Sequence, residues 1–309
     1  MSEINYLVRR NRIMLLVAKV LRRSHTPQKI NEVFNTYRHS KITLYIENNF
    51  SDTIKKYDVL GKTHSKDEKE ESIIWIFWWQ GLENAPPLVR ACIQSVIRNA
   101  KDYKVIIISQ KTVHKYSDIS EIIYAKLIEK KISLTHFSDI LRFNLLKNHG
   151  GIWMDATIYT HHEIEKKVHI DFFTVSGFND REFFNISRGK WTGFLIGGEK
   201  NQVLFSFMDE MFKKYWEKEN ELVDYFLIDY LLDIAYKKNI GSFRTYIKNN
   251  DNTQPNMFEL QNRISDSWDE KEFIRLTEKT NFFKLSYKKK NRMSKDSSNT
   301  FYDYLIKRV

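Results

Sequence analysis

The sequence predicts an α/β fold, a Rossmann-like mixed sheet, mostly parallel and flanked by helices, and three observations lead there. The run Ile73–Trp79 is apolar, has strand length and lacks polar alternation, which fits a strand covered on both faces, and Tyr103–Ser109 reads as a second strand. Helical stretches separate such runs, and strand–helix–strand spacing implies right-handed parallel crossovers. The chain has 309 residues, of which 42% are apolar and 14% aromatic, enough for one large α/β domain with appendages or two ordinary domains.

Residues 1–60 read as helices with polar breaks. The charged run His64–Glu71 is the candidate linker, so the chain divides into a basic helical segment, 1–70, membrane- or acceptor-proximal, and an α/β domain, 71–309, with a helical C-terminal part. Gln80-Gly81 closes the first strand. Pro86-Pro87 opens a helix over Leu88–Ala100, since proline is tolerated in a first turn. Asp118-x-x-Glu121 has the form of a capping box for a helix reaching about Lys131. Ser138 is expected to cap a helix over Asp139–Asn148, which Gly150-Gly151 ends. A strand over Ile152–Tyr159 follows, with shorter ones at Phe172–Ser176 and Trp191–Ile196. Helices are expected near 202–218 and 222–239, a polar loop over 241–258, and a mixed basic segment after it.

Lys plus Arg number 50 against 39 Asp plus Glu, a net charge of +11, which points to an anionic partner. The excess sits at two ends. Residues 1–30 hold seven basic side chains against Glu3, and residues 279–295 hold seven against none. No recognised nucleic-acid motif is present and the basic clusters avoid the aromatic strand, so nucleic acid is not the expected partner. The single cysteine, Cys92, rules out an intrachain disulfide framework and makes a reducing cytoplasm the natural compartment. No stretch approaches the ~20 apolar residues of a membrane span. The segment Ile13–Leu21 instead reads either as a basic helix on an anionic membrane surface or as a helix packing its Leu/Val face on the main domain. The expected location is cytoplasmic, peripheral on the inner face of the cell membrane.

Asp139 and Arg142 sit at i and i+3 and project from one helix face. After the two glycines, Trp153, Asp155 and Thr157 share one face of the expected strand, and Ile152, Met154, Ala156 and Ile158 the other. A carboxylate embedded in such a strand is costly unless paired. Ligands of open α/β sheets bind at strand C-terminal ends. Asp155 is therefore a site candidate, with a buried structural Asp as the alternative.

The run Ser138-Asp-Ile-Leu-Arg-Phe-x-Leu-Leu-x-x-x-Gly-Gly-Ile-Trp-Met-Asp-Ala-Thr157 resembles the DXD region of glycosyltransferase 32-type sugar transferases, in particular the capsular polysaccharide synthesis branch. The resemblance covers about residues 73–160. It implies a GT-A fold and transfer, with retention, of a hexose from a UDP-sugar, galactose or glucose being the expected sugar. The implied acceptor is an undecaprenyl-diphosphate-linked saccharide in capsular or surface polysaccharide synthesis. By the same resemblance, Asp139 and Arg142 contact ribose and donor sugar, and Asp155 supports sugar and a divalent ion, Mn²⁺ or Mg²⁺. Trp78, Trp79 and Gln80 lie at a strand end where one indole could stack on uracil and the amide read its edge; either Trp could be the one facing the pocket. Thr157 stands where most such enzymes have a second Asp, which leaves the ion with a neutral hydroxyl beside Asp155. Asp224 and Asp229 are the later acids; Asp224 reads as helix surface and Asp229 as the donor-sugar contact. Lys284 and Lys288 are expected to meet the diphosphate charge. The departure at Thr157 also keeps open a non-catalytic carbohydrate- or lipid-binding component with the same shell.

Overall fold

Five consecutive apolar residues, Ile73–Phe77, form strand β1, and all five are buried, as a strand covered on both sides must be. The computed structural model describes residues 3–24, 26–60, 72–165, 171–178, 180–288 and 299–307. Among the described residues, three helices precede β1: α1 (Glu3–Arg23), α2 (Gln28–Asn49) and α3 (Ser51–Val59). After it come α4 (Pro87–Asn99), β2 (Lys104–Ile108), the short α5 (Val113–Tyr116), α6 (Glu121–Ile128) and α7 (Leu134–His149). Four short strands follow, β3 (Gly151–Met154), β4 (Ile158–Thr160), β5 (Phe172–Thr174) and β6 (Leu195–Gly198). The C-terminal part holds α8 (Val203–Lys218), α9 (Leu227–Lys238), α10 (Phe243–Lys248), α11 (Glu259–Arg263), α12 (Glu270–Thr277), β7 (Phe282–Lys284) and α13 (Phe301–Lys307).

The main sheet runs β2-β1-β3-β6-β5. β1 pairs in parallel with β2 and β3, whereas β6 is antiparallel to both β3 and β5, so only β6 runs against the other four. This is a mixed, mostly parallel sheet compatible with a Rossmann-like fold. Alternation along the strands feeds two apolar layers. Trp75, Phe77, Trp153 and Ile196 face α7, α8 and α9, and Ile74, Ile76, Ile152 and Met154 face α4. The helices before residue 60 pack on the first layer: Ile42, Ile46 and Phe50 share one core with Phe212 and Tyr215 of α8. Among the described residues no helix is long and apolar enough to cross a membrane.

Gly150-Gly151 is required by the backbone. Their φ angles are +66° and +93°, and a Cβ on Gly151 would fall 2.6 Å from the Ile73 carbonyl oxygen. Trp75 Nε1 donates to the Gly150 carbonyl at 2.8 Å, tying β1 to the end of α7.

Several expectations are corrected. The strand expected over Ile152–Tyr159 breaks at Asp155: Ile158 N donates to Asp155 O at 2.9 Å, closing a turn, and β4 then leaves to pair with β7. Thr157 thus lies beyond a turn and not on one strand face with Trp153 and Asp155. The α7 helix starts five residues before Asp139, because the Ser133 hydroxyl, not Ser138, accepts from His136 N. Ser138 sits inside the helix and donates back to Thr135 O. Asp118 makes no capping box; α6 has Ser120 at its N-cap, and Asp118 instead accepts from Asn144 and Asn148 of α7. The second of the late helices begins at Leu227 because Asp224 caps the preceding turn, its carboxylate accepting from Phe226 N at 2.7 Å. The strand near 191–196 falls at Leu195–Gly198, and the expected loop over 241–258 contains α10. The charged run His64–Glu71 lies outside the described residues.

Candidate functional site

Asp155 is the first residue past β3, at that strand's C-terminal end, and its N–H donates to Phe194 O at 2.9 Å. Its carboxylate is engaged on both oxygens. Oδ1 accepts from Trp153 Nε1 at 2.8 Å and from Arg142 Nη2 at 3.2 Å, and Oδ2 accepts from Lys284 Nζ at 2.5 Å. Lys284 comes from 129 residues away because the β4–β7 ladder sets it beside Ile158. Burial alone would push the Asp155 carboxyl up. Lys284 and Arg142, with the hydrogen bonds from Lys284 and Trp153, outweigh burial and hold it below the usual carboxylate value.

Arg142 joins two carboxylates. Its Nη1 donates to Asp139 Oδ1 at 3.0 Å, and its guanidinium stacks over Trp153, 5.0 Å from the ring centroid. The side chain is buried, yet Nε has no partner among the described residues, so donor capacity is left over. Behind Asp139, His136 Nε2 accepts from Trp216 Nε1 at 2.9 Å, which leaves Nδ1 facing Asp139 Oδ2 at 3.6 Å. Gly193 allows the wall to come close. A Cβ there would sit 2.9 Å from Ile228 Cδ1 and 3.4 Å from Arg142 Nη1.

Asp229 opens α9, accepts from Trp191 Nε1 at 3.2 Å and feels the charges of Asp139 and Arg142. Burial pushes its carboxyl up to about 7; the Trp191 bond opposes the shift and the Asp139 carboxylate adds to it. Asp155 and Asp229 are half-buried, each keeping some accessible surface. Tyr225, more than half exposed nearby, has its phenol raised by burial of its inner part and by the Asp139 and Asp155 carboxylates.

The expected residues divide into those that converge and those that do not. Asp139, Arg142, Asp155 and Lys284 form one chain of ion pairs, with Asp229 beside it. Lys288 is exposed, its ammonium 5.7 Å from the Tyr287 ring centroid, and makes no ion pair with Asp155. Trp78 and Trp79 diverge. Trp79 meets Phe137 of α7 edge-on at 5.7 Å, on the Arg142 side, while Trp78 meets Tyr287 edge-on at 5.4 Å on the other. Gln80 is exposed. Asp224 is not helix surface: it is buried, accepts from Asn11 Nδ2 at 2.5 Å and pairs with Arg38 at 3.9 Å. Trp191, Gly193 and Tyr225 were not singled out from the sequence, which places the first two in an expected strand and the third in an expected helix, where none carries a spacing signal.

The residues present do not fit a resident divalent ion. Among the described residues no group of three or more His, Cys, Asp or Glu side chains converges as ligands would. The carboxylate in position, Asp155, already faces two cations, and an ion seeking about six oxygens would have to displace Lys284 from it. A separate cavity of about 350 Å³ opens between α2, Phe183, Ile186 and Lys237, and none of the site residues lines it.

A family model described as "Capsular polysaccharide synthesis protein" matches residues 22–305 of the chain. A search of the curated proteins finds no match.

Proposed function

Because the chain belongs to the capsular polysaccharide synthesis protein family, we propose that it is a glycosyltransferase with a GT-A-type catalytic domain, moving a hexose from a UDP-sugar to a lipid-diphosphate-linked saccharide. The observation that supports this reading is the chain Asp139–Arg142–Asp155–Lys284 at the C-terminal end of a parallel strand. Departure of a nucleoside diphosphate concentrates negative charge, and preorganised cations at that point lower the barrier. Arg142 is held by two carboxylates and a Trp face, so it needs no reorganisation. Lys284 swings from Asp155 to the diphosphate. Asp155, freed on one oxygen, and Asp229, protonated near neutrality, then accept from and donate to hydroxyls of the donor sugar.

The test is a panel of nucleotide-sugars with wild-type protein and Asp155→Asn, reading released UDP. Turnover by wild type with at least one UDP-hexose, and loss of at least about a hundredfold in the variant, is expected, since losing one preorganised polar contact to the reacting group typically costs about 10²–10³-fold. Nucleotide binding without turnover of any donor would favour the non-catalytic shell instead.

A further inference from the structure

α1 is apolar on two opposite faces. Leu7, Asn11 and Ala18 turn inward and are buried, whereas Ile13, Leu16 and Val20, at the i, i+3, i+7 spacing, are 64%, 62% and 64% exposed. α2 repeats the pattern: Arg38, Ile42 and Ile46 are buried, while Ile30, Val33 and Tyr37 are 54%, 64% and 49% exposed. The two helices run antiparallel as a hairpin, joined through residues 24–27, and Arg10 Nη2 donates to Tyr37 OH at 2.6 Å across the gap. The exposed apolar stretches, Ile13–Val20 on α1 and Ile30–Tyr37 on α2, each run about 10 Å along their helix at 1.5 Å per residue, and together make one outward apolar strip.

Six large apolar side chains, Ile13, Leu16, Val20, Ile30, Val33 and Tyr37, stand about half or more exposed here, and exposed apolar groups gathered on one face mark an interaction surface. The strip's flank decides what covers it. Arg12 and Lys19 are exposed beside it, Arg9 and Arg23 are exposed at its two ends on the same face, and none of the four makes an ion pair among the described residues. Apolar side chains on one line with unpaired cations alongside match a bilayer surface, where the first enter the acyl boundary and the second meet anionic headgroups.

We propose that the outer face of the α1–α2 hairpin docks the protein flat on an anionic lipid bilayer. This deepens the reading of a lipid-linked acceptor by naming the surface that reaches it. The strip includes α2, which the basic charge of residues 1–30 alone does not indicate.

The test is co-sedimentation of the full chain with phosphatidylglycerol-containing vesicles and with pure phosphatidylcholine vesicles, at low and high salt. Wild type is expected to bind the anionic vesicles and to retain part of that binding at high salt through the apolar strip. Leu16→Glu with Val33→Glu should lower binding by roughly tenfold or more, because each places a charge where the strip enters the membrane. Both side chains are exposed, so the melting temperature should not move. Arg12→Glu with Lys19→Glu gives a second variant that leaves the strip intact and should abolish the preference for anionic vesicles. Equal binding by wild type and the Leu16/Val33 variant would overturn the proposal. So would a wild type that ignores vesicles and forms a dimer that the same substitutions dissociate. UDP binding is measured on each variant: unchanged UDP affinity with lost vesicle binding isolates the docking face, whereas absence of UDP binding in wild type would bear on the transferase reading alone.

Discussion

Replacing Lys284 by Met keeps the length and flexibility of the side chain and removes the ammonium from Asp155 Oδ2, 2.5 Å away. Side-chain exposures of 21% and 27% place this pair between the surface and buried regimes. A charged hydrogen bond contributes ~1.5–3 kcal/mol net, and breaking a fully buried pair costs ~3–5 kcal/mol, so ~2 kcal/mol of destabilisation is expected. The larger consequence is at the ligand. Loss of the mobile cation should weaken UDP binding by roughly ten- to hundredfold, the equivalent of ~1.4–3 kcal/mol. It also frees a carboxylate oxygen, so Lys284→Met should acquire a dependence on divalent ions that wild type lacks. The assay is calorimetric titration of UDP in EDTA and in Mn²⁺, on both proteins. Wild-type affinity should agree within about twofold between the two buffers, a difference of ~0.4 kcal/mol. The variant should bind weakly in EDTA and recover part of its affinity in Mn²⁺. Wild-type binding that requires Mn²⁺, with Lys284→Met unchanged from it, would refute the argument that Lys284 stands where an ion would otherwise bind.

Trp79→Ala should weaken UDP binding by about tenfold and remove UDP-induced fluorescence quenching, since Trp79 lies on the Arg142 side and base stacking contributes ~1–3 kcal/mol. Trp78→Ala, on the Tyr287 side, should do neither, and the reverse ranking would move the base to the other face. Asp229 has a folded pKa of about 7 against 3.8 unfolded, so the folded state holds its proton more tightly. Its contribution is fully present below pH 3.8 and is lost as the pH rises through about 7. At ~1.4 kcal/mol per pK unit the ceiling is ~4 kcal/mol, and the partial exposure of Asp229 reduces it to ~1–2 kcal/mol. Asp229→Asn should therefore raise the urea midpoint at pH 8 relative to wild type but not at pH 4, and parallel pH profiles would sink the assignment.

What the sequence reveals is what neighbouring residues decide. The buried strand β1, the strand β2, the proline-started α4 and the two faces of β3 all follow from local periodicity and are present in the structure, although β2, at the sheet edge, is buried only at Ile108. Asp139, Arg142 and Asp155 were legible for the same reason, since a helix, two glycines and a strand in succession bring them together. The break at Asp155 was not. Apolar alternation continues through Ala156, Ile158 and Tyr159, and the turn exists because β4 finds its partner in Phe282–Lys284. The start of α7 turned on which of two serines caps it, and both satisfy the preference. Asp224 was misplaced because its partners, Asn11 and Arg38, lie more than 180 residues earlier in the chain, beyond the reach of any spacing rule.

That misplaced aspartate bears on how the hairpin and the site are related. Asn11 on the inner face of α1 donates to the Val223 carbonyl and to Asp224, and Arg38 of α2 pairs with the same carboxylate. His39 Nδ1 meets Tyr230 OH at 2.8 Å, one residue past Asp229. The segment they grip, 223–230, carries Tyr225 and Asp229, both within the electrostatic reach of Asp139 and Arg142. The hairpin thus presents an apolar face outward and supports the candidate donor site from behind with its inner face. Deleting residues 1–30 would strip the Asn11 hydrogen bonds and open the buried Arg38–Asp224 pair to water together with any lipid contact. Loss of vesicle binding or of activity after such a deletion would carry no information about the outer face. Point substitutions at exposed positions leave the inner contacts in place, which is why Leu16 and Val33, and not the helix as a whole, separate attachment to a surface from construction of the site.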